Sequence, residues 1–419
     1  MRVLYSCLFY LLIPAILLRL FWRGIKAPDY RHRWLERFAC YNNKLPTDVI
    51  WFHAVSVGEA EALFPLVRQI QQQHPAIPLL ITTTTPTGSA RVKAVMKDTV
   101  SHVYLPYDLP DAVKRFMHCF KPRLAVIVET EIWPNLFSYC GENNIPLCMI
   151  NARLSEKSSR RYQKIPSFIA PVLARVKLIA AQSQDDADRF IAIGAKTETV
   201  KTFGNIKFDV EIPQAIIEQG SQLKTELFGN RFVWLIASTH KHEEAIFLSL
   251  YQDIKQRIPE LLLVIVPRHP ERFSEVKTLT EQQGLTLVTR TSGASCRQAS
   301  DVYLLDTMGE LKMFYAAADI AFVGGSMVNT GGHNILEPVA IGVPTLFGPY
   351  MSNFKQIAEN ILKQDAAIQC QNSKAITAAI YLLHEDPVYR KNLAEKGRQF
   401  ISRNQGVITK ICVALDDFV

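Results

Sequence analysis

From residue 48 onward the chain alternates short apolar runs with stretches whose apolar residues recur at helical spacing. Runs at 49–53, 79–83, 103–105, 124–129, 146–151 and 178–181 read as strands. Amphipathic stretches such as 59–73 and 111–119 separate them. The rhythm breaks over 209–230, a mixed polar stretch holding Pro213 and Gly229. It resumes with runs at 232–237, 261–266, 285–289, 302–305, 320–323 and 345–347. This βαβα order predicts the α/β class, as two doubly wound parallel sheets with helices on both faces. The predicted domains are 23–208 and 231–419, joined by a linker at 209–230 and facing each other across a cleft. Ligands of such sheets bind beyond the carboxyl ends of the strands. Functional residues are therefore sought just after each run.

The N-terminus differs from the rest. Residues 3–18, VLYSCLFYLLIPAILL, are sixteen positions without a charge. As a helix they rise about 24 Å, against a hydrocarbon core of about 30 Å. Residues 1–37 hold seven basic side chains (Arg2, Arg19, Arg23, Lys26, Arg31, Arg33 and Arg37) against Asp29 and Glu36, a net of +5. The whole chain of 419 residues has +8, so only +3 remains for the body. That excludes a strongly basic nucleic-acid-binding body. Arginines follow the apolar run where a small-residue cleavage site would stand, so an uncleaved signal-anchor over 1–22 is predicted, as a short span or a deeply embedded segment. Basic residues after the run place the body on the cytoplasmic side, and anionic lipid attracts them. The alternative is an apolar helix packed on the protein's own core. Composition, with 48% hydrophobic and 21% charged residues, excludes wholesale disorder. Eight scattered cysteines without a CxxC predict neither a zinc site nor a disulfide framework.

Several strand ends hold candidate chemistry. His53-Ala-Val-Ser-Val-Gly58-Glu59 follows the first run and opens a helix. Glu59 is there either a helix-capping carboxylate or, if half-buried, a general base with a raised pKa. Glu129 and Glu131 follow the apolar run LAVIV, where carboxylates are costly unless paired or used. Lys207, in Gly204-Asn205-Ile-Lys207, is either a solvated linker lysine or a partner for an anionic substrate. In the second half Arg268-His269 follows one run and Met308-Gly309-Glu310 another. Gly324-Gly325-Ser326, then Gly331-Gly332-His333-Asn334-Ile335-Leu336-Glu337, suggests a phosphate cradle of backbone N–H groups. Glu337, one turn into the helix, is placed to accept ribose hydroxyls.

The segments HAVSVGE, TPTGSARV, YLPYDLP, ETEIWPN, NARLSEKS, GNIKFD, PRHPERF, MGEL and GGHNILEPVAIGVP occur in this order. Together they make the chain resemble the 3-deoxy-D-manno-octulosonic acid (Kdo) transferases of lipopolysaccharide synthesis, over nearly its whole length. The resemblance implies the GT-B architecture and attachment to the bacterial inner membrane on its cytoplasmic side. It implies transfer of Kdo, with inversion, from CMP-Kdo to a lipid A precursor (lipid IVA), releasing CMP. It also implies Glu59 as the base, and Glu129 and Lys207 as transition-state stabilisers. CMP contacts would come from Arg268, His269, Met308, Gly309, Glu310, Asn334, Ile335, Leu336 and Glu337.

CMP carries a single phosphate, which Arg268 and a helix N-terminus can neutralise, and the site motifs hold no Asp-x-Asp pair. No metal or other cofactor is expected. The partners are thus CMP-Kdo, the lipid acceptor and membrane lipids, and not nucleic acid. Competing readings are a UDP-sugar transferase or epimerase of the same architecture and a non-catalytic, membrane-anchored nucleotide-binding protein. A dinucleotide dehydrogenase is disfavoured, because no G-x-G-x-x-G follows the first run.

Overall fold

The computed structural model describes residues 1–41, 45–296 and 299–419; the side chain of Lys26, counted above in the basic flank, lies outside the described residues. The chain divides into two compact units, Met1–Asp209 with Gly406–Val419, and Val210–Gln405.

The first unit is built on β1 (Ile50–His53), β2 (Leu79–Thr83), β3 (Ser101–Tyr104), β4 (Leu124–Val128), β5 (Leu147–Ala152), β6 (Leu178–Ala181) and β7 (Val200–Thr202). All pairings are parallel, in the order β3-β2-β1-β4-β5-β6-β7. Both faces are covered, so successive strand residues enter opposite cores. Trp51 lies in one apolar cluster with Ala125 and Ile127, while Ile50 and Phe52 lie in the other with Val126 and Val128.

The second unit repeats the design with β8 (Phe232–Thr239), β9 (Leu261–Pro267), β10 (Leu287–Thr289), β11 (Val302–Leu304), β12 (Ile320–Val323), β13 (Thr345–Phe347) and β14 (Ile368–Gln369). Its order is β10-β11-β9-β8-β12-β13-β14, again parallel. Trp234 and Ile236 face one core, Val233 and Leu235 the other.

β7 and β14 escaped the pattern of apolar runs. Each is an edge strand of two or three partly exposed residues, Val-Lys-Thr and Ile-Gln, with too little apolar content to stand out.

Two boundaries differ from those predicted. The stretch 209–230 is largely not a linker: the helix Gln214–Leu223 belongs to the second unit. There Gly220, lacking a side chain, lies directly against Ala316 and the Met313 carbonyl. The C-terminal domain does not run to 419 either, because the helix Val407–Asp416 joins the first unit. Its stripe Val407, Ile408, Ile411, Cys412 and Leu415 completes the core that holds Leu63 and Phe64. Asp209 accepts the Gly406 N–H at 2.6 Å and starts that helix.

The apolar N-terminal run is part of a longer helix, Arg2–Lys26, which continues through Pro14. By length and composition it is sufficient to cross a membrane. One of its faces is nevertheless engaged with the first unit, through Ser6 and Leu20.

Candidate functional site

In each sheet the chain runs outward one way, returns and continues the other way. The reversal lies between β1 and β4 in the first unit and between β8 and β12 in the second. At such a point the loops after two neighbouring strands part and leave a crevice at their carboxyl ends. Glu59 follows β1 and Glu129 follows β4, so both stand at the reversal of the first sheet.

Glu59 is the third residue of the helix Val57–Gln73, capped by Ser56. Ser56 Oγ accepts the Glu59 N–H at 3.4 Å and donates to Glu59 Oε1 at 2.9 Å. The Val55 N–H donates to Oε2 at 2.7 Å. This is a variant of the capping box, with the Val55 N–H in place of the Ser56 N–H, and it holds the carboxylate in one place. The helix-capping reading of Glu59 is met by this geometry. Burial pushes its carboxyl above the usual carboxylate range, and Glu129 adds to that shift. The two hydrogen bonds and the Lys207 ammonium act in the opposite direction.

Glu129 has φ 60°, left-handed for a residue with a side chain. Such a conformation costs on the order of 1–3 kcal/mol and persists only where the surroundings hold it. Here the Glu129 N–H is tied to the Ile150 carbonyl at 3.0 Å. Its carboxylate lies 4.0 Å from Arg153. Lys207 lies in the short helix Ile206–Phe208, which Asn205 caps by accepting the Lys207 N–H at 3.0 Å. Asn151, just past the centre of the sheet, accepts the Ile206 N–H at 3.1 Å and fixes that turn.

Glu131 also belongs to this group and was not among the residues singled out for catalysis. Burial first, then Glu59 and Glu129, push it up to about 7. Its signal was present in the sequence as the second carboxylate after an apolar strand, but nothing local says that both face Glu59. His53, by contrast, is a core residue. It is fully buried against Thr82 Oγ1 at 2.9 Å, and burial pushes it down to about 4.

In the second unit the loops after β9, β11 and β12 hold Arg268 and His269, Met308–Glu310 and the glycine-rich stretch in turn. The Arg268 guanidinium is exposed and makes no ion pair among the described residues. His269 stands edge-on to His240 at 5.5 Å. His240 Nε2 meets His333 Nε2 at 2.8 Å, so one ring must donate and the other accept. His333 is pushed down to about 4 by burial and by the neighbouring His240, Arg268 and His269. Gly309 has φ 91°, which only glycine adopts freely, and it turns the chain there. The Glu310 carboxylate is bound by Arg290 at 2.8 Å and by the Thr307 hydroxyl, and Arg290 holds it below the usual range.

The first part of the glycine-rich stretch is not free to form the phosphate cradle expected of it. The N–H groups of Gly325, Ser326 and Met327 all donate to the fully buried carboxylate of Glu243, at 2.7, 3.1 and 2.9 Å. The His240 N–H is a fourth donor, at 2.9 Å. An internal carboxylate thus takes the N–H groups at 325–327, the first of those that were predicted to face a phosphate. Glu243 resembles an ordinary first-turn glutamate in sequence, and only the fold sets it against the β12 loop. Ile335 and Leu336 are fully buried, so their side chains serve the core. Asn334 Oδ1 takes the Leu336 N–H at 3.0 Å. Glu337 is the second residue of the helix Leu336–Ile341, within its first turn instead of one turn in, and is half-buried beside Tyr315.

Comparison with known proteins bears on the family and the fold. Residues 32–210 match the profile of the family described as 3-deoxy-D-manno-octulosonic-acid transferase (kdotransferase). Residues 238–400 match that of glycosyl transferases group 1. A 3-deoxy-D-manno-octulosonic acid transferase of Haemophilus influenzae is 37% identical over 421 residues, 100% of this chain and 99% of that protein. One of Bordetella pertussis is 33% identical over 380 residues, 88% and 87% of the two chains. The solved UDP-GlcNAc 2-epimerase of Neisseria meningitidis, 14% identical with a TM-score of 0.58 over 88% of this chain and 99% of its own, shares the fold. Two parallel seven-stranded units, the matched profiles and relatives over the full length place this chain in the 3-deoxy-D-manno-octulosonic acid transferase family, glycosyltransferases with a GT-B-like fold.

Proposed function

We propose that this protein moves Kdo from CMP-Kdo to the lipid A precursor lipid IVA, inverting the anomeric configuration and releasing CMP, at the cytoplasmic face of the inner membrane. The observation that carries this reading is the convergence of Glu59, Glu129, Glu131 and Lys207 at the reversal of the first sheet. Glu59 takes the proton of the acceptor hydroxyl as the new C–O bond forms. The bond from the anomeric carbon to the phosphate breaks, and its electron pair leaves with CMP. Positive charge develops at the anomeric centre in between, and Glu129 offsets it. Lys207 balances the sugar's carboxylate or the departing phosphate. On the donor side Arg268 meets the phosphate, His269 and the Met308–Glu310 turn flank it, and Glu337 accepts from the ribose. Asn334, Ile335 and Leu336 present backbone to the nucleotide. The decisive experiment is mass spectrometry of the product after incubation with CMP-Kdo and a tetraacyl lipid A precursor. A product heavier by one or more Kdo residues supports the reading, and an unchanged acceptor rejects it.

Glu337→Ala is expected to weaken CMP-Kdo binding by about 1.5–3 kcal/mol, the size of lost charge-assisted hydrogen bonds. Calorimetric titration measures this, and unchanged affinity would give that carboxylate another role.

The pH profile follows from the Glu59 environment. The base works ionised and its pKa is raised, so activity climbs as pH rises through a value above the usual carboxylate range. Lys207→Ala removes a charge that lowers this pKa and moves the acid limb of kcat/KM to higher pH. Glu129→Gln removes one that raises it and moves the limb to lower pH. Limbs that stay in place in both variants would exclude Glu59 as the titrating group.

A further inference from the structure

Asp108 of the YLPYDLP segment and Asn135 of ETEIWPN take no part in the chemistry above, yet they are 1% and 7% exposed. Asp108 accepts the N–H groups of Asn135 and Leu136 at 2.9 Å each, and so caps the helix Pro134–Glu142. Asn135 Nδ2 donates to the Asp108 carbonyl at 2.7 Å, and its side chain meets Ser6 Oγ at 3.0 and 3.2 Å. The knot thus ends on the N-terminal helix. Further contacts hold the same stretch. Tyr5 bonds the Asp108 carboxylate and sets its ring 5.7 Å from Phe168. Arg2 pairs with Glu142 at 2.5 Å, and Tyr10 donates to Asp111. At the other end Gly24 packs on Arg31, whose guanidinium lies 5.0 Å from the Phe21 ring.

The first turns of the helix therefore touch the globular unit, and the chain just past its other end is tied to the same unit where Arg33 donates to Ser89 Oγ at 2.8 Å. A helix that crosses a bilayer has its ends about 30 Å apart on opposite sides. Crossing would either pull Arg2, Tyr5, Ser6 and Tyr10 off these partners or carry Asp108, Asp111 and Glu142 into hydrocarbon, which is costly. The opposite face tells what covers it. Leu4, Leu8, Leu11, Leu18, Trp22 and Ile25 are 61, 53, 76, 59, 70 and 61% exposed. Most recur at intervals of three or four, one apolar stripe along a helix whose other stripe is already seated. Arg19 and Arg23 are exposed beside that stripe. Lys157, Arg161 and Lys164 gather on the segment just before Phe168. A second copy of this chain would set these cations against each other, whereas an anionic bilayer meets them with opposite charge.

We infer that the N-terminal helix lies in the plane of an anionic bilayer surface instead of crossing it, seated lengthwise on its own domain. The inference rests on the membrane attachment proposed above and says how that attachment is made. In-plane helices bury an apolar face to about 5–10 Å. The Asp108–Asn135 knot directly follows the loop that holds Glu129 and Glu131, so the seated helix sets the height of the catalytic carboxylates above the lipid that bears the acceptor.

The test uses the full chain in cell membranes, with one epitope before Met1 and another after Val419. Protease is applied to intact spheroplasts and to inverted vesicles. Cleavage of both epitopes in inverted vesicles only is the expected result. An N-terminal epitope cut in spheroplasts while the C-terminal one is protected overturns the inference and leaves membrane attachment standing. Protein recovered wholly outside the membrane fraction overturns attachment itself, and the inference with it. As an independent measurement, Arg2→Cys with Glu142→Cys is treated with a short bis-maleimide in the same vesicles and mapped by mass spectrometry. A 2–142 bridge in membrane-bound protein that keeps at least half its turnover is expected. Its absence, with both cysteines labelled singly, places them on opposite sides and rejects the in-plane arrangement.

Discussion

Glu59→Gln is expected to lower turnover about 10²–10⁴-fold, the usual contribution of a general base, while the fold and CMP affinity stay unchanged. The capping box makes this substitution unusually clean. Glutamine serves at the same helical position, because its amide oxygen can accept the Val55 N–H while its NH2 donates to Ser56 Oγ. The cap survives and only the proton acceptor is lost. Glu59→Ala removes both, and adds a loss of stability of about 1 kcal/mol as for other caps. Single-turnover transfer, CMP titration and thermal melting of the two variants separate the roles. Near-normal turnover in the glutamine variant would reduce Glu59 to a cap.

The second large effect is predicted at Glu243, where no reacting group is involved. Its carboxylate is the common acceptor for His240, Gly325, Ser326 and Met327. Glu243→Ala leaves four N–H donors without this partner, those of Gly325 and Ser326 in a fully buried place. Removing one side of a buried, hydrogen-bonded charge costs about 3–5 kcal/mol, a large share of the roughly 5–15 kcal/mol that holds a domain together. The C-terminal unit should melt far earlier or fail to accumulate. Glu243→Gln is the gentler variant: one oxygen still accepts, but the NH2 group opposes two other donors. It should keep the fold and raise the KM for CMP-Kdo at least tenfold with a smaller change in kcat, because the loops after β8 and β12 lose their common tie. Equal KM values in the glutamine variant and the parent would show that the tie does not shape the donor site.

These two glutamates contrast in how openly the sequence marks them. Glu59 sits in Ser-Val-Gly-Glu after an apolar strand, and both its spacing to Ser56 and its place at a strand end are local features. Glu243 has no such mark. A carboxylate in the first turn of a helix is ordinary, and three of its four donors lie more than eighty positions away in the chain. The glycines of 324–332 misled for the same reason. Local pattern shows a loop rich in free N–H groups, and only the helix after β8 shows that those of Gly325, Ser326 and Met327 are already bound. Glu131 falls between these cases, legible as a carboxylate after a strand and illegible as the third member of a cluster.

The sequence by itself determined the α/β rhythm, twelve of the fourteen strands, the strand ends where chemistry would lie, and the family. These follow from periodicity and short motifs, which depend on residues a few positions apart. The tertiary structure alone decided what depends on strand order. Placing β1 beside β4 brings Glu59, Glu129 and Glu131 together, and the Asn151 bond to Ile206 turns Lys207 toward them from beyond β7. Placing β8 beside β12 lets Glu243 take the N–H groups of the glycine loop. The unit to which the last helix belongs was decided in the same way, because its apolar stripe would suit either domain by composition, and Asp209 and the core around Leu63 and Phe64 claim it. Burial, and the pKa shifts that come with it, is a property of that assembly. No window along the chain contains it.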